Sequence, residues 1–215
     1  MIMARSLLID DHTKIMIAIL ENAHSIFHKS KSKNMPPNIH EALTTLLDEK
    51  ISDDVKYAIE IVLPNLPKLD QIKSQISNDD RNIIKNISEN LEKSTDVQNM
   101  IEILGMLRRD YPKNQNMQKA ISYSIDILNA GSDSIYNEKY LSNFKISNSK
   151  SSLKEYCKVD ANGSIVGAVS LGTVVGIVLA GEGSLPGIGV ASVCGAVEES
   201  GRKFLTSLWD RMRGN

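Results

Sequence analysis

Residues 162–197 decide the fold, and they read NGSIVGAVSLGTVVGIVLAGEGSLPGIGVASVCGAV. Glu182 is the only acidic or basic residue in this stretch. The first arm, 164–180, has 17 residues, which is the lower end of the ~17–25 that a helix needs to cross a bilayer. The second arm, 184–197, is shorter and contains Pro186. The glycine-rich sequence between the arms predicts a turn, so the stretch is predicted to form an apolar helical hairpin.

The glycines of the hairpin are spaced for helix contact. Gly163 and Gly167 are four residues apart, as are Gly172 and Gly176, so each pair shares one helix face. Small residues at this spacing let two helix backbones approach closely, although each interior glycine costs about 1 kcal/mol of helix stability. The residues predicted to form the contact face and the tip of the hairpin are Gly163, Gly167, Gly172, Gly176, Glu182, Pro186, Gly187, Gly189 and Gly195.

Two other interpretations of the hairpin stay open at this stage. Its arms could be buried in the core of a soluble protein, with the glycines allowing tight packing. The enrichment in valine, isoleucine and threonine is also compatible with strands.

The remainder of the chain has the pattern of short amphipathic helices, so the fold class is all-α. Apolar residues recur at helical spacing after capping residues near positions 11, 38, 53, 78, 96 and 114, with a further short helix around 69–76. The starts follow no fixed period, which argues against a repeat array. We predict a helical bundle domain over 1–130, a Ser/Asn-rich linker over 131–161, and the hairpin with a C-terminal amphipathic helix over 162–215.

The C-terminal helix is predicted over 202–212 and carries an apolar stripe. Phe204, Leu208, Trp209 and Met212 lie on one face, with basic residues around them. Tryptophan flanked by arginine is typical of a membrane-interface helix, and the same stripe also suits the closing helix of a soluble bundle.

Composition and motifs give no support to catalysis or nucleic-acid binding. The net charge is −1, and no phosphate-binding loop, nucleophile elbow, HExxH or CxxC motif occurs. Glu21, His24 and His28 could share a helix face, but no second helix offers matching ligands, so we predict no metal and no cofactor. Of the two cysteines, Cys194 is expected to be a buried apolar residue, and Cys157, in a polar stretch, to be exposed.

The amino terminus lacks the apolar run of a Sec signal peptide, since Asp10 and Asp11 follow only three apolar residues. We therefore expect a cytoplasmic protein, or one exported without a Sec signal, with possible membrane association. Asp10 or Asp11 is predicted to cap the first helix.

Two family resemblances concern the hairpin. The segments VDANGSIVGAV, GTVVGIVLAG and PGIGVASVCGAVEESG resemble the glycine-zipper hairpin of small bacteriocin-like peptides. The order of elements is similar to that of a colicin-type pore-forming domain, in which an apolar helical hairpin lies near the end of a bundle of amphipathic helices. The arms here are shorter and richer in glycine than those of the pore-forming family. The resemblance implies membrane insertion, an antimicrobial or toxin function, and no catalytic residue.

The expected function is that of a membrane-active protein, bacteriocin-like or pore-forming-like, that inserts the glycine-rich hairpin and is not an enzyme. The expected partners are a lipid bilayer, or a second copy bound through the hairpin, and a protein partner for the helical domain. The alternative is a soluble all-helical interaction or scaffold protein in which the hairpin is core.

Overall fold

The computed structural model describes residues 2–30, 35–67, 76–132, 134–136, 142–143, 150–178 and 187–213, and side chains within these ranges except 2–9, 150–152, 170–178 and 187. The described residues form nine α-helices and no strand, which confirms the all-α class. The helices are α1 Ile2–Glu21, α2 Ala23–Lys29, α3 Ile39–Leu47, α4 Asp53–Val62, α5 Asn78–Glu92, α6 Val97–Asp110, α7 Gln115–Ser132, α8 Lys150–Val178 and α9 Gly187–Met212. A 3₁₀ turn, Leu63–Asn65, follows α4.

Side-chain caps fix the starts of the middle helices, close to where the sequence predicts them. Asn38, Ser52, Ser77 and Asp96 each accept a hydrogen bond from the backbone N–H three residues later. Such caps satisfy N–H groups that the first turn of a helix leaves unpaired. The helix predicted around 69–76 lies almost entirely outside the described residues.

The first helix differs from its prediction. It begins at Ile2, so Asp10 and Asp11 lie inside α1 and cap nothing. Helical hydrogen bonds also bridge the junction between α1 and α2. The Asn22 N–H donates to Ala18 O and the Ile26 N–H donates to Asn22 O, both at 3.0 Å.

The last two helices are longer than the predicted arms. Residues 150–161, predicted as linker, form the first turns of α8. The arm predicted over 184–197 and the C-terminal helix predicted over 202–212 are one helix in the structure, because α9 runs from Gly187 to Met212. No proline interrupts this segment, and the Ser200 hydroxyl donates to Ala196 O at 2.6 Å within the helix. Both arms are helical wherever they are described, so the strand interpretation is wrong for those residues.

Helices α8 and α9 form the centre of the packing. They lie against each other, with α7 packed on α8, α1 packed on α9, and α5 on the first half of α8. Their buried residues belong to the same hydrophobic cluster as those of α1, α3, α4, α5, α6 and α7. Among the described residues, no helix is both long and apolar enough to cross a membrane.

Candidate functional site at the root of the hairpin

We define the hairpin root as residues 153–169 of α8 and 188–208 of α9, where both helices are packed in the bundle. Its main feature is a close antiparallel crossing of the two backbones. A Cβ added to Gly163 would overlap Gly195 O, and one added to Gly167 would overlap Ala191 O. A Cβ on Gly195 would in turn come within 2.9 Å of Gly167 Cα. Only glycine allows so close an approach of the backbones of α8 and α9.

The other predicted hairpin residues are only partly described. Gly172 and Gly176 lie on the helical backbone of α8, and their surroundings lie outside the described residues. Gly187 is the first residue of α9, and Gly189, two residues later, is buried. Glu182 and Pro186 lie outside the described residues, so their predicted role at the tip stays a prediction.

Just before the glycine crossing, three polar side chains meet in the core. His12 of α1 and Asp160 of α8 are fully buried, and His12 Nε2 lies 3.1 Å from Asp160 Oδ1. The Tyr136 hydroxyl, from the turn after α7, donates to the second carboxylate oxygen, Oδ2. A carboxylate can only accept, so His12 donates from Nε2 in this pairing. The cluster connects two segments, α1 and the turn after α7, to one residue of α8.

The position of Tyr136 depends on a glycine. The turn after α7 is closed by hydrogen bonds from the N–H groups of Ser134 and Tyr136 to Gly131 O, at 3.1 and 2.9 Å. The Tyr136 ring lies directly on Gly131, where an added Cβ would overlap it. In this position the Tyr136 hydroxyl reaches Asp160.

Several buried side-chain atoms of α1, α8 and α9 have no hydrogen-bond partner among the described residues. They are His12 Nδ1, Thr13 Oγ1, Asn162 Oδ1, Ser164 Oγ and Ser192 Oγ.

Asp11, next to His12, is a further buried acid on α1. Desolvation raises its pKa from the ordinary 3.8 to about 6, and the nearby Lys14 ammonium, 3.9 Å from its Oδ1, opposes the rise. The proton is therefore bound more tightly in the folded protein than in the unfolded chain.

The described residues enclose the cluster. With His12 and Asp160 fully buried, no substrate reaches the imidazole in this conformation. Its chemistry is limited to directional hydrogen bonding that fixes α8 against α1 and α7.

The two cysteines are both buried in the root. Cys194 matches its prediction, but Cys157 was expected to be exposed, and this is wrong. Cys157 lies on the inner face of α8, and burial raises the pKa of its thiol to about 12. Asp160, one turn further along α8, lies on the same inner face.

The apolar stripe predicted for the C-terminal helix lies partly within the hairpin root. Phe204 is fully buried and stacks on Tyr156 with ring centroids 4.2 Å apart, and Leu208 is buried. Trp209 is half-buried, 5.6 Å from the Phe27 ring, and the Arg213 guanidinium lies 4.7 Å from its centroid. Met212 is 57% exposed, so it does not belong to the buried face.

The sequence analysis missed His12, Tyr136 and Asp160. A signal was present for two of them. Extending the apolar stripe of Ile15 and Ile19 back by one turn reaches His12, and the inward stripe of α8 through Cys157 and Ser164 passes Asp160. Nothing local connects Tyr136 to them.

No family model matches this chain, and neither curated proteins nor solved structures include a significant match to it.

Proposed function

We propose that this protein acts on membranes by inserting the apolar hairpin formed by α8, α9 and the residues between them. The observation that carries the proposal is that the two apolar segments of the chain are already paired as antiparallel helices, in backbone contact at Gly163, Gly167 and Gly195. Small residues at such a crossing also hold helix pairs together in lipid, where apolar side chains give no hydrophobic advantage. A hairpin assembled in this way can enter a bilayer as one unit.

The packing of the root sets a condition on insertion. The predicted spanning arm, 164–180, begins inside the bundle, where Ser164, Ile165 and Ala168 are buried. A helix cannot span the bilayer while its first two turns stay packed in a soluble core. Full insertion therefore requires α8 and α9 to separate from α1 and α7.

A reversible cross-link tests this condition. Met16 of α1 and Ser200 of α9 face each other, with Sδ and Oγ 3.3 Å apart. The double variant Met16→Cys with Ser200→Cys is designed to tie α9 to the bundle, and mass spectrometry verifies the disulfide before the assay. We expect the reduced double variant to release dye from phosphatidylglycerol-containing vesicles and to float with them. In the oxidised form, both the dye release and the fraction that floats should fall at least tenfold. Reductant restores activity. The single variant Met16→Cys, treated with the same oxidant, is the matched control and keeps its activity.

Two results count against the proposal in different ways. If the wild-type protein neither floats with vesicles nor releases dye at acid or neutral pH, membrane insertion is wrong. If the oxidised and verified cross-linked form is as active as the reduced form, the root does not leave the bundle and the condition on insertion is wrong.

The tip provides a second test. Glu182 is the only charged residue over 161–197, and a charge in hydrocarbon costs at least ~2.5 kcal/mol. We expect wild-type flotation to strengthen as pH falls through the carboxylate range, Glu182→Gln to flatten this dependence, and Glu182→Lys to weaken binding. Three proteins equally absent from the lipid fraction at both pH values would contradict insertion.

A soluble interaction or scaffold function is the second candidate, and one observation favours it. Side chains of the root, such as Cys157, Ile165 and Val197, complete the core that also contains residues of α1 and α3–α7. In that case the hairpin is permanent core. The protein then melts cooperatively, with amides of α8 and α9 protected from hydrogen exchange to the same degree whether or not vesicles are present.

A further inference from the structure

We propose that His24 and His28 form a two-imidazole site for a divalent transition-metal ion on the outer face of α2. This inference is independent of the membrane proposal, since it concerns a surface on the other side of α2 from its packed residues.

The geometry of the pair is that of neighbouring residues on one helix face. His24 and His28 are one turn apart, and their rings are stacked with centroids 6.5 Å apart and planes inclined by 17°. Two imidazoles that share a metal, with metal–nitrogen bonds of ~2.1 Å, have centroids about 5 Å apart. Both side chains are exposed, and closing this gap requires rotation about their own side-chain bonds.

The helix that carries the pair is held firmly. On its opposite face, Ile26 is fully buried and Phe27 packs against Trp209. The backbone hydrogen bonds that connect α2 to α1 keep its first turn ordered. The backbone therefore holds the two histidines one turn apart before a metal binds, which lowers the entropic cost of chelation.

Among the described residues, no hydrogen bond competes with a metal for the two imidazoles. The ammonium of Lys29, the residue after His28, is paired with Glu49, with Nζ and Oε1 2.7 Å apart. Within the described ranges no group of three or more His, Cys, Asp or Glu side chains is arranged to hold a metal, so the pair would bind with water in the remaining positions.

The ligand type selects the metal. Imidazole pairs suit Cu²⁺, Ni²⁺ and Zn²⁺, whereas Mg²⁺ and Ca²⁺ require oxygen ligands. Affinity should follow the order Cu²⁺ above Ni²⁺, with Zn²⁺ below Cu²⁺. An open site with two protein ligands exchanges its metal readily.

The test uses the full chain without a polyhistidine tag at pH 7.5, where metal binding has little competition from protons. Calorimetric titration with Ni²⁺ should give one saturable site, and His24→Ala or His28→Ala should each weaken it at least tenfold. His40→Ala, which removes an exposed histidine of α3, is the matched control and should change the affinity less than twofold. With Zn²⁺, ring nitrogen signals of His24 and His28 should shift together in NMR spectra.

The proposal is overturned if Ni²⁺ shows no saturable binding, or if His40→Ala weakens binding as much as His24→Ala does. It is also overturned if Zn²⁺ shifts the ring signals of only one of the two histidines, because a single imidazole is not a chelate. None of these outcomes depends on membrane activity.

Discussion

Replacing Gly167 with alanine tests the crossing on which the hairpin root depends. The new Cβ would overlap Ala191 O and lie 3.0 Å from Gly195 Cα. Both are backbone atoms of α9, so no side-chain rotation relieves the overlap. The two helix axes have to separate by on the order of 1 Å to restore normal contact distances.

The expected cost follows from two opposing terms. Overpacking a tight interior costs about 1–3 kcal/mol, and a backbone clash lies at the upper end of that range. Alanine recovers about 1 kcal/mol over glycine inside a helix. We therefore expect Gly167→Ala to lower the free energy of unfolding by about 2 kcal/mol, which lowers Tm by about 4–8 °C for a chain of this size.

Gly105→Ala is the matched control. Gly105 lies inside α6, and an added Cβ there meets nothing within 4 Å. This variant should gain up to about 1 kcal/mol. Urea unfolding followed by circular dichroism measures both variants. The reasoning on the crossing is refuted if Gly167→Ala is as stable as the wild type while Gly105→Ala shows its expected gain.

Three further predictions concern the root and its surroundings. Asp11→Asn removes a buried acid whose pKa is raised from 3.8 to about 6 by desolvation. The variant should therefore be more stable than the wild type by up to about 3 kcal/mol above pH 6, and this gain should vanish as the pH falls below 3.8. Equal pH–stability curves for the two proteins would contradict this. Tyr136→Phe removes a hydrogen bond to Asp160 and should cost about 1–3 kcal/mol in urea unfolding, whereas the exposed Tyr57→Phe should change stability by less than about 0.5 kcal/mol. Both thiols are buried, and that of Cys157 has a pKa of about 12, so the native protein should react with a thiol reagent at pH 8 only on unfolding; rapid native labelling would show that the root opens.

Local sequence signals predicted the middle of the fold well. The starts of α3 to α7 follow from residues such as Ser52 and Asp96, whose caps need only neighbouring backbone. The apolar stripes of these helices repeat every three or four residues and do not depend on the partner helix.

The helix boundaries that sequence reasoning missed depend on distant contacts. The first turns of α8 are polar and read as a linker, but Lys154 donates to Glu92 O at 2.9 Å and Lys158 to Glu92 Oε1 at 2.6 Å. These bonds place two lysines of α8 at the end of α5, 62 and 66 residues away in sequence. No local pattern encodes such a pairing.

The residues of the candidate site also differ in how far local sequence predicts them. The face of Gly163 and Gly167 was visible as a four-residue spacing, whereas the choice of Gly195 as their partner depends on the register of α9. The hydrogen bond from His12 to Asp160 joins residues 148 positions apart, and that of Tyr136 joins residues 24 apart. Each residue on its own resembles an ordinary polar residue, and only the tertiary fold brings them together.

The register of the crossing relates the charged ends of the two arms. Gly163 faces Gly195 and Gly167 faces Ala191, so the same antiparallel pairing sets Asp160 level with Glu198. These are the last charged residues on each arm before the hairpin, and the described part of α8 beyond Asp160, 161–178, has 18 residues without a charge. The polar cluster that fixes α8 in the bundle therefore lies level with the last charged residue of each arm. In the proposed insertion this level would mark the membrane surface, since Asp160 and Glu198 would otherwise enter lipid together.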